Sequence, residues 1–309
     1  MKKRIKRIRD DRKRKKEIRN KVVNREDGFI YADMHSHTIY SDGLNTLNQV
    51  KETIDNLGIN IAVTDHNEIK GSLMLSKLKN YKDKIIPGIE VTAKERCHIL
   101  FYFHDFGSLK SFYEKEVKKF RYKDPVLATT RSAEDLVDLK DKYNAILCLP
   151  HPYSPFSGGI MSKIHRGKVD HSILRKFDWI EAINAMQTVN ENILSKRLAS
   201  HLKKPKTAGS DSHDVKTLGK ALAYGKAHDL ESFYKVISKQ RNEIAGVHLS
   251  NIRKAVMGAK MATTHVKTLG PMINYYYRDA REELDYYGQL FEHVIKHRIK
   301  KIERKVFEK

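Results

Sequence analysis

Asp33-Met34-His35-Ser36-His37-Thr38-Ile39-Tyr40-Ser41-Asp42-Gly43 follows directly on the short apolar run Phe29-Ile30-Tyr31-Ala32. If that run is a strand, its period of two sends His35 and His37 to the same side. Two imidazoles converging at a strand end make half of a metal site, and Asp42 stands close enough in sequence to join them. The remaining donors must come from elsewhere in the chain.

Later apolar runs supply them. Ile59 to Thr64 ends in Asp65-His66-Asn67, and Ile85 to Val91 carries Glu90 and is interrupted by Pro87-Gly88. His98 opens H-I-L-F-Y-F, Ala145 to Leu149 delivers Pro150-His151-Pro152, and Thr207-Ala208 leads into Gly209-Ser210-Asp211-Ser212-His213. Between them lie stretches with helical spacing. Leu47, Val50, Ile54 and Leu57 are closed by Gly58, Ile69, Leu73 and Leu78 share a face, and Phe112, Tyr113 and Val117 point inward. Further helices are predicted from Ser132 to about Lys140 and from Ile193 to Leu202. The alternation predicts a parallel α/β architecture with its polar residues at the carboxyl ends of the strands.

A single histidine is more often a surface or hydrogen-bonded core residue than a ligand. His35, His37, Asp42, His66, Glu90, His98, His151, Asp211 and His213 instead recur after successive apolar runs, as one converging site requires. Mixed imidazole and carboxylate donors suit zinc, manganese or iron better than magnesium.

H-S-H-T-I-Y-S-D-G, A-V-T-D-H-N, G-I-E-V-T, C-H-I-L, L-P-H-P-Y and G-S-D-S-H, in that order, resemble the motifs of the PHP (polymerase and histidinol phosphatase) superfamily. The resemblance covers about Ile30 to Ser250 and implies a distorted seven-stranded β/α barrel. It further implies three divalent metal ions. His35, His37, Glu90 and Asp211 would hold the first, and Glu90 would bridge to a second held with His98 and His151. Asp42, His66 and His213 would hold the third. Asp65 and Glu181 are expected to support the ligands, and Asn184 to line the pocket with Glu181.

The chemistry that uses such a cluster is phosphoester hydrolysis. Two metals roughly 3.5 Å apart can hold a bridging hydroxide aimed at phosphorus. The general acid stays open between a metal-bound water, His213 and Asp42. Arg131 and, in the loop from Tyr153 to Lys168, Lys163, His165, Arg166 and Lys168 are candidate phosphate contacts. Only 53 residues separate His98 from His151. That leaves too little room for the helical insertion of the family's RNA-trimming and bisphosphate-hydrolysing members. Residues 209 to about 250 resemble the carboxyl-terminal segment of short stand-alone members.

The chain has 309 residues, 40% hydrophobic and 32% charged. No apolar run reaches the roughly 18 residues of a transmembrane helix, and the first 20 lack the apolar middle of a signal peptide. Cys97 and Cys148 lie in apolar runs, so a reduced, cytoplasmic enzyme with no disulfide is expected. Of the formal charge of +22, a net +11 falls in residues 1–25, with fourteen Lys or Arg. Residues 1–28 are therefore read as a loosely helical or unstructured arm, either simply solvated or in contact with nucleic acid.

Residues 29–250 are expected to form the metallo-phosphoesterase domain of the resemblance and 251–309 a helical extension. There Ile273, Tyr277, Ala280, Leu284, Tyr287, Phe291, Ile295, Ile299, Ile302 and Val306 form a stripe spaced by threes and fours. A helix of nearly 40 residues would run to roughly 57 Å, long enough to pair with a second copy. The alternative is that it folds back or breaks near Gly288.

The leading expectation is a metal-dependent phosphoesterase acting on a nucleotide or short nucleic acid. The alternatives are a small-molecule phosphomonoesterase and a metal-stabilised nucleic-acid-binding protein without turnover.

Overall fold

A computed structural model describes residues 26–154 and 158–249, together with Tyr277, Arg281 and Asp285. Nearly all of the basic arm and of the extension from residue 251 lies outside the described residues. Of the extension, the three described positions are helical and exposed.

Among the described residues nine strands form one sheet: β1 (Phe29–Ser36), β2 (Asn60–Val63), β3 (Ile85–Thr92), β4 (His98–Tyr102), β5 (Ile146–Leu149), β6 (Trp179–Asn184), β7 (Lys206–Gly209), β8 (Ala221–Lys226) and β9 (Glu243–Gly246). Their order is β7-β6-β5-β4-β3-β2-β1-β8-β9. Two expectations are corrected here. The sheet has nine strands where seven were predicted, and it is mixed where a parallel sheet was predicted. β4 runs antiparallel to both β3 and β5, and β8 runs antiparallel to both β1 and β9. Ala221-Leu222-Ala223-Tyr224-Gly225-Lys226 and Glu243-Ile244-Ala245-Gly246 are short and rich in Ala and Gly, so their period-two signal is weak.

Pro87-Gly88 does not break β3. Ile85 to Pro87 pair in parallel with β2, and Gly88 to Thr92 pair antiparallel with β4. The proline thus sits where the strand passes from one partner to the other, a position that tolerates a missing donor.

The sheet curls until its ends nearly meet. β1 pairs with β8 along its first half, while its end bridges to the segment after β7 through Ser36 and Ser212. The His37 amide donates to the Ser212 carbonyl (2.9 Å) and the Asp211 amide to the His35 carbonyl (2.7 Å). Asp33, fully buried, fastens this seam by accepting from the amides of Ser210 and Gly219, each at 2.8 Å.

Seven short α-helices lie among the strands: α1 (Leu47–Leu57), α2 (Lys70–Ser76), α3 (Phe106–Phe112), α4 (Ala133–Val137), α5 (Ile160–His165), α6 (Val189–His201) and α7 (Leu230–Ser238). Thr46 caps α1 in a reciprocal box with Gln49, and Gly58 ends it in the left-handed conformation. α2 stops before Leu78, which is exposed rather than on the predicted inner face. α5 stands within the stretch read as a loop. α3 continues into a π-helical turn, Tyr113–Val117.

The inner core gathers Met34, Ala62, Ile86, Leu100, Tyr102, Cys148 and Trp179 from the strands, and Phe233, Tyr234 and Ile237 of α7 pack against them. The Trp179 indole donates to Ser238 Oγ and the Tyr234 hydroxyl to the Phe103 carbonyl. Since Trp179 begins β6 and Phe103 follows β4, α7 closes the amino-terminal mouth and leaves the opposite one for the polar residues. No helix among the described residues is long and apolar enough to cross a membrane.

Candidate metal centre

All nine predicted donors meet at that opposite mouth. His35 lies near the end of β1, His66 and His151 just past β2 and β5, and Asp211 and His213 past β7. Glu90 projects from β3. His98 opens β4, whose antiparallel course sets its first residue beside Thr92. His66 and Glu90 are further joined by an isolated parallel bridge.

Glu90 is the hub. Its Oε1 lies 3.1 Å from His98 Nδ1 and 3.2 Å from His151 Nε2. Its Oε2 lies 3.2 Å from His35 Nε2, 3.3 Å from His37 Nε2 and 3.2 Å from His66 Nδ1. Asp211 Oδ1 adds contacts at 3.1 Å to His37 Nε2 and 3.6 Å to His35 Nε2. Asp42 Oδ2 lies 3.1 Å from His213 Nε2 and 3.6 Å from His66 Nε2.

Four groups have all their donor atoms within 4.8 Å of one another. They are His37, Asp42, His66 and His213; His35, Glu90 and His151; His35, His37 and Asp211; and His66, Glu90 and His98. His35, His37, His66 and Glu90 each belong to two of them, so neighbouring groups share donors.

The donor set fits divalent cations. His35 Nε2 and His37 Nε2 are only 3.1 Å apart, and lone pairs at that distance need a proton or a cation between them. His37 Nδ1 and His151 Nδ1 are buried without a hydrogen-bond partner, a costly state for polar atoms. Burial pushes the Glu90 carboxyl up, but His35, His98 and His66 overcome it and hold the group well below its ordinary range. Burial likewise pulls His213 down, and Asp42 reverses this, leaving it at about 9. An imidazole held protonated by surrounding carboxylates is a place where a cation competes with the proton.

Two donors sit in the left-handed backbone region, His151 at φ 26° and Asp211 at φ 51°. Such conformations cost non-glycine residues about 1–3 kcal/mol each and persist when the surroundings fix them. Gly209 explains why no side chain fits beside β1, since a Cβ there would come within 2.3 Å of His35 Cβ.

The supporting residues divide from their predicted roles. Glu181 Oε1 lies 3.1 Å from His35 Nδ1, and its Oε2 accepts from the His151 amide and the Asn184 side chain. It thereby fixes the imidazole's orientation. Glu181→Ala would strip three donors of their acceptor at once, and metal affinity measured by competition with a chelating dye is expected to fall about 10–100-fold.

Asn184, expected to line the pocket, makes its side-chain hydrogen bonds within the protein. It is fully buried, donates to Glu181 and Asp211, and accepts from the Met186 amide. Asp65 does not orient His66. It accepts from the Thr38 amide, the Thr38 hydroxyl and the Ser41 hydroxyl, bracing the loop between His37 and Asp42.

Arg131, expected as a phosphate contact, pairs with the Glu116 carboxylate and stacks on Phe120. Lys163 is buried, and its charge acts on Cys97. Arg166 Nε donates to the Ser162 carbonyl at the end of α5. Gly158, in the predicted loop, accepts from the His98 amide and lies so close to that ring that a Cβ would meet it at 2.4 Å. Asp33 has no predicted role, although it opens the quoted motif.

No curated protein matches this sequence. A family model described as PHP-associated matches residues 189–241, which include Asp211 and His213. Nine metal-capable side chains gather at one mouth of the sheet, and two of them lie in the matched segment. That segment matches the PHP-associated family.

Solved structures share this fold. Endonuclease Q, in complex with a 27-mer duplex bearing an abasic lesion at the active site, aligns with a TM-score of 0.55 at 19% identity, covering 71% of this chain and 60% of that one. The lesion-specific endonuclease PfuEndoQ of Pyrococcus furiosus aligns at 0.54 and 19%, covering 70% and 57%. PsfC from Pseudomonas syringae PB-5123 aligns at 0.53 and 16%, covering 77% and 99%. The chain thus spans under two thirds of the length of either endonuclease.

Proposed function

We propose that this protein is a metal-dependent phosphoesterase of the PHP type that cleaves a nucleic acid or nucleotide, with three divalent ions of manganese, zinc or iron held by the nine side chains. The observation that carries the reading is Glu90, whose two carboxylate oxygens face separate sets of imidazoles, two on one side and three on the other. Bound cations would supply Lewis-acid stabilisation of the phosphoryl oxygens and a nucleophile from water at neutral pH.

The chain's own part is to hold that chemistry in place. Glu181 fixes His35, Asn184 fixes Asp211, and the Asp33 seam brings Asp211 to β1. The mouth is lined by buried imidazoles and carboxylates, and the cations they would hold suit a phosphate. Two features favour a nucleic acid or nucleotide over a small ester. The formal charge is +22, half of it outside residues 1–25, and the fold is shared with enzymes that act on damaged DNA.

The test uses the full chain loaded with Mn²⁺ and three end-labelled substrates: a 5'-phosphorylated single-stranded RNA, a single-stranded DNA and a duplex carrying one abasic residue. Cleavage of at least one of them, abolished by a chelator and restored by Mn²⁺, is the expected result. Intact strands alongside rapid release of phosphate from small monoesters would overturn the substrate class and favour the phosphatase alternative. Tight binding without any turnover would overturn catalysis itself.

A further inference from the structure

The loop from His37 to Asp42 is fixed from within. The amides of Ser41 and Gly43 both donate to the Thr38 carbonyl, and the Ile39 amide donates to the Asn45 carbonyl. The hydroxyls of Thr38 and Ser41 turn inward onto Asp65. Ile39 and Tyr40 are what the loop turns outward: Ile39 is 48% exposed and Tyr40 half-buried.

Tyr40 lies along the first turns of α2. A Cβ on Gly71 would stand 3.3 Å from its ring, and its hydroxyl donates to Met74 Sδ at 3.1 Å. The Lys70 ammonium lies 4.8 Å from the ring centroid. Met74 is 42% exposed.

An exposed isoleucine or methionine alone needs no explanation. Here both flank a partly open aromatic ring, with an ammonium beside it, on a loop whose two ends are metal donors. α2 begins only four residues after a third donor, His66. An aromatic face with a cation at hand matches a nucleobase and its phosphate. In a duplex the base faces are stacked on each other, so this surface selects a strand whose bases are free.

We propose that Tyr40, bordered by Ile39, Lys70 and Met74, is the platform on which a base next to the cleaved phosphate of a single-stranded nucleic acid stacks. The inference rests on the nucleic-acid reading above and names the positioning residue for that substrate.

The test uses the Mn²⁺-loaded full chain and a set of single-stranded oligonucleotides, each lacking the base at one position. Removing one particular base beside the cleavage point is expected to raise the wild-type KM about tenfold with little change in kcat. Tyr40→Ala should raise KM for the intact strand by about the same factor and then be indifferent to loss of that base. Tyr40→Phe should respond to base loss as wild type does. Should Tyr40→Ala fail to fold with a full metal complement, Tyr40→Leu makes the same comparison without an aromatic face.

An unchanged penalty for base removal in the variant would overturn the platform, as would a fall in kcat alone. So would an equal dependence on Tyr40 for a duplex of the same sequence. If wild type cleaves no strand of any kind, the nucleic-acid reading itself fails, which the wild-type data alone would reveal.

Discussion

Glu90→Gln should lose at least one of its metal ions and at least about a thousandfold in kcat/KM, equivalent to roughly 4 kcal/mol of transition-state stabilisation. The substitution is nearly isosteric, so packing against β2 and β4 persists. What changes is chemical. An amide presents one oxygen and one N–H₂ group, whereas Glu90 presents two oxygens. Whichever way the amide turns, either His98 and His151 or the trio His35, His37 and His66 meets a donor in place of an acceptor. The site also keeps six imidazoles with only two of its three donor carboxylates. Counting metals by elemental analysis and assaying the same sample separates the two effects. A fully loaded, fully active Glu90→Gln would sink the hub role.

Chelation should lower the melting temperature by about 10 °C, and stoichiometric Mn²⁺ should restore it. A cation at about a thousand times its dissociation constant stabilises the folded state by about 4 kcal/mol, and in a chain this large each kcal/mol is worth roughly 2–4 °C. The reason lies in the site's internal repulsion. Without a cation, His35 Nε2 and His37 Nε2 stand 3.1 Å apart and two buried ring nitrogens, His37 Nδ1 and His151 Nδ1, have no hydrogen-bond partner. An identical melting curve before and after verified metal removal would mean that protons satisfy the cluster equally well.

The donors are legible in the sequence because each stands at or just beyond a short apolar run, and strand ends of one sheet must converge. The first seven strands are legible for the same reason. What escapes is whatever depends on pairing across the chain. Asp33 is an unremarked acid until Ser210 and Gly219 are folded onto it. Asn184 looks available for substrate until Glu181 and Asp211 occupy its amide. Arg131 looks like a phosphate ligand until Glu116 is seen beneath it.

α6 shows how periodicity misleads. It buries Asn192 and Ser195 and exposes Ile193 and Leu194, because the Asn192 side chain bridges the backbone of Asn184 and the ring of His248. An apolar count therefore starts the helix at Ile193, whereas the Thr188 cap with Glu191 starts it at Val189. β8 and β9 escape for a plainer reason: alanine and glycine carry little pattern.

The seam between β1 and the end of β7 also sets an order of events in time. Asp33 and Ser210 are 177 residues apart in sequence, and a ribosome adding about 5–20 residues per second needs roughly 9–35 s to pass from one to the other. During that interval His35, His37, Asp42, His66 and Glu90 are all made, while Asp211 and His213 are not. A nascent chain therefore carries a partial imidazole cluster whose closing donors arrive last. The cluster is thus completed by late, long-range closure.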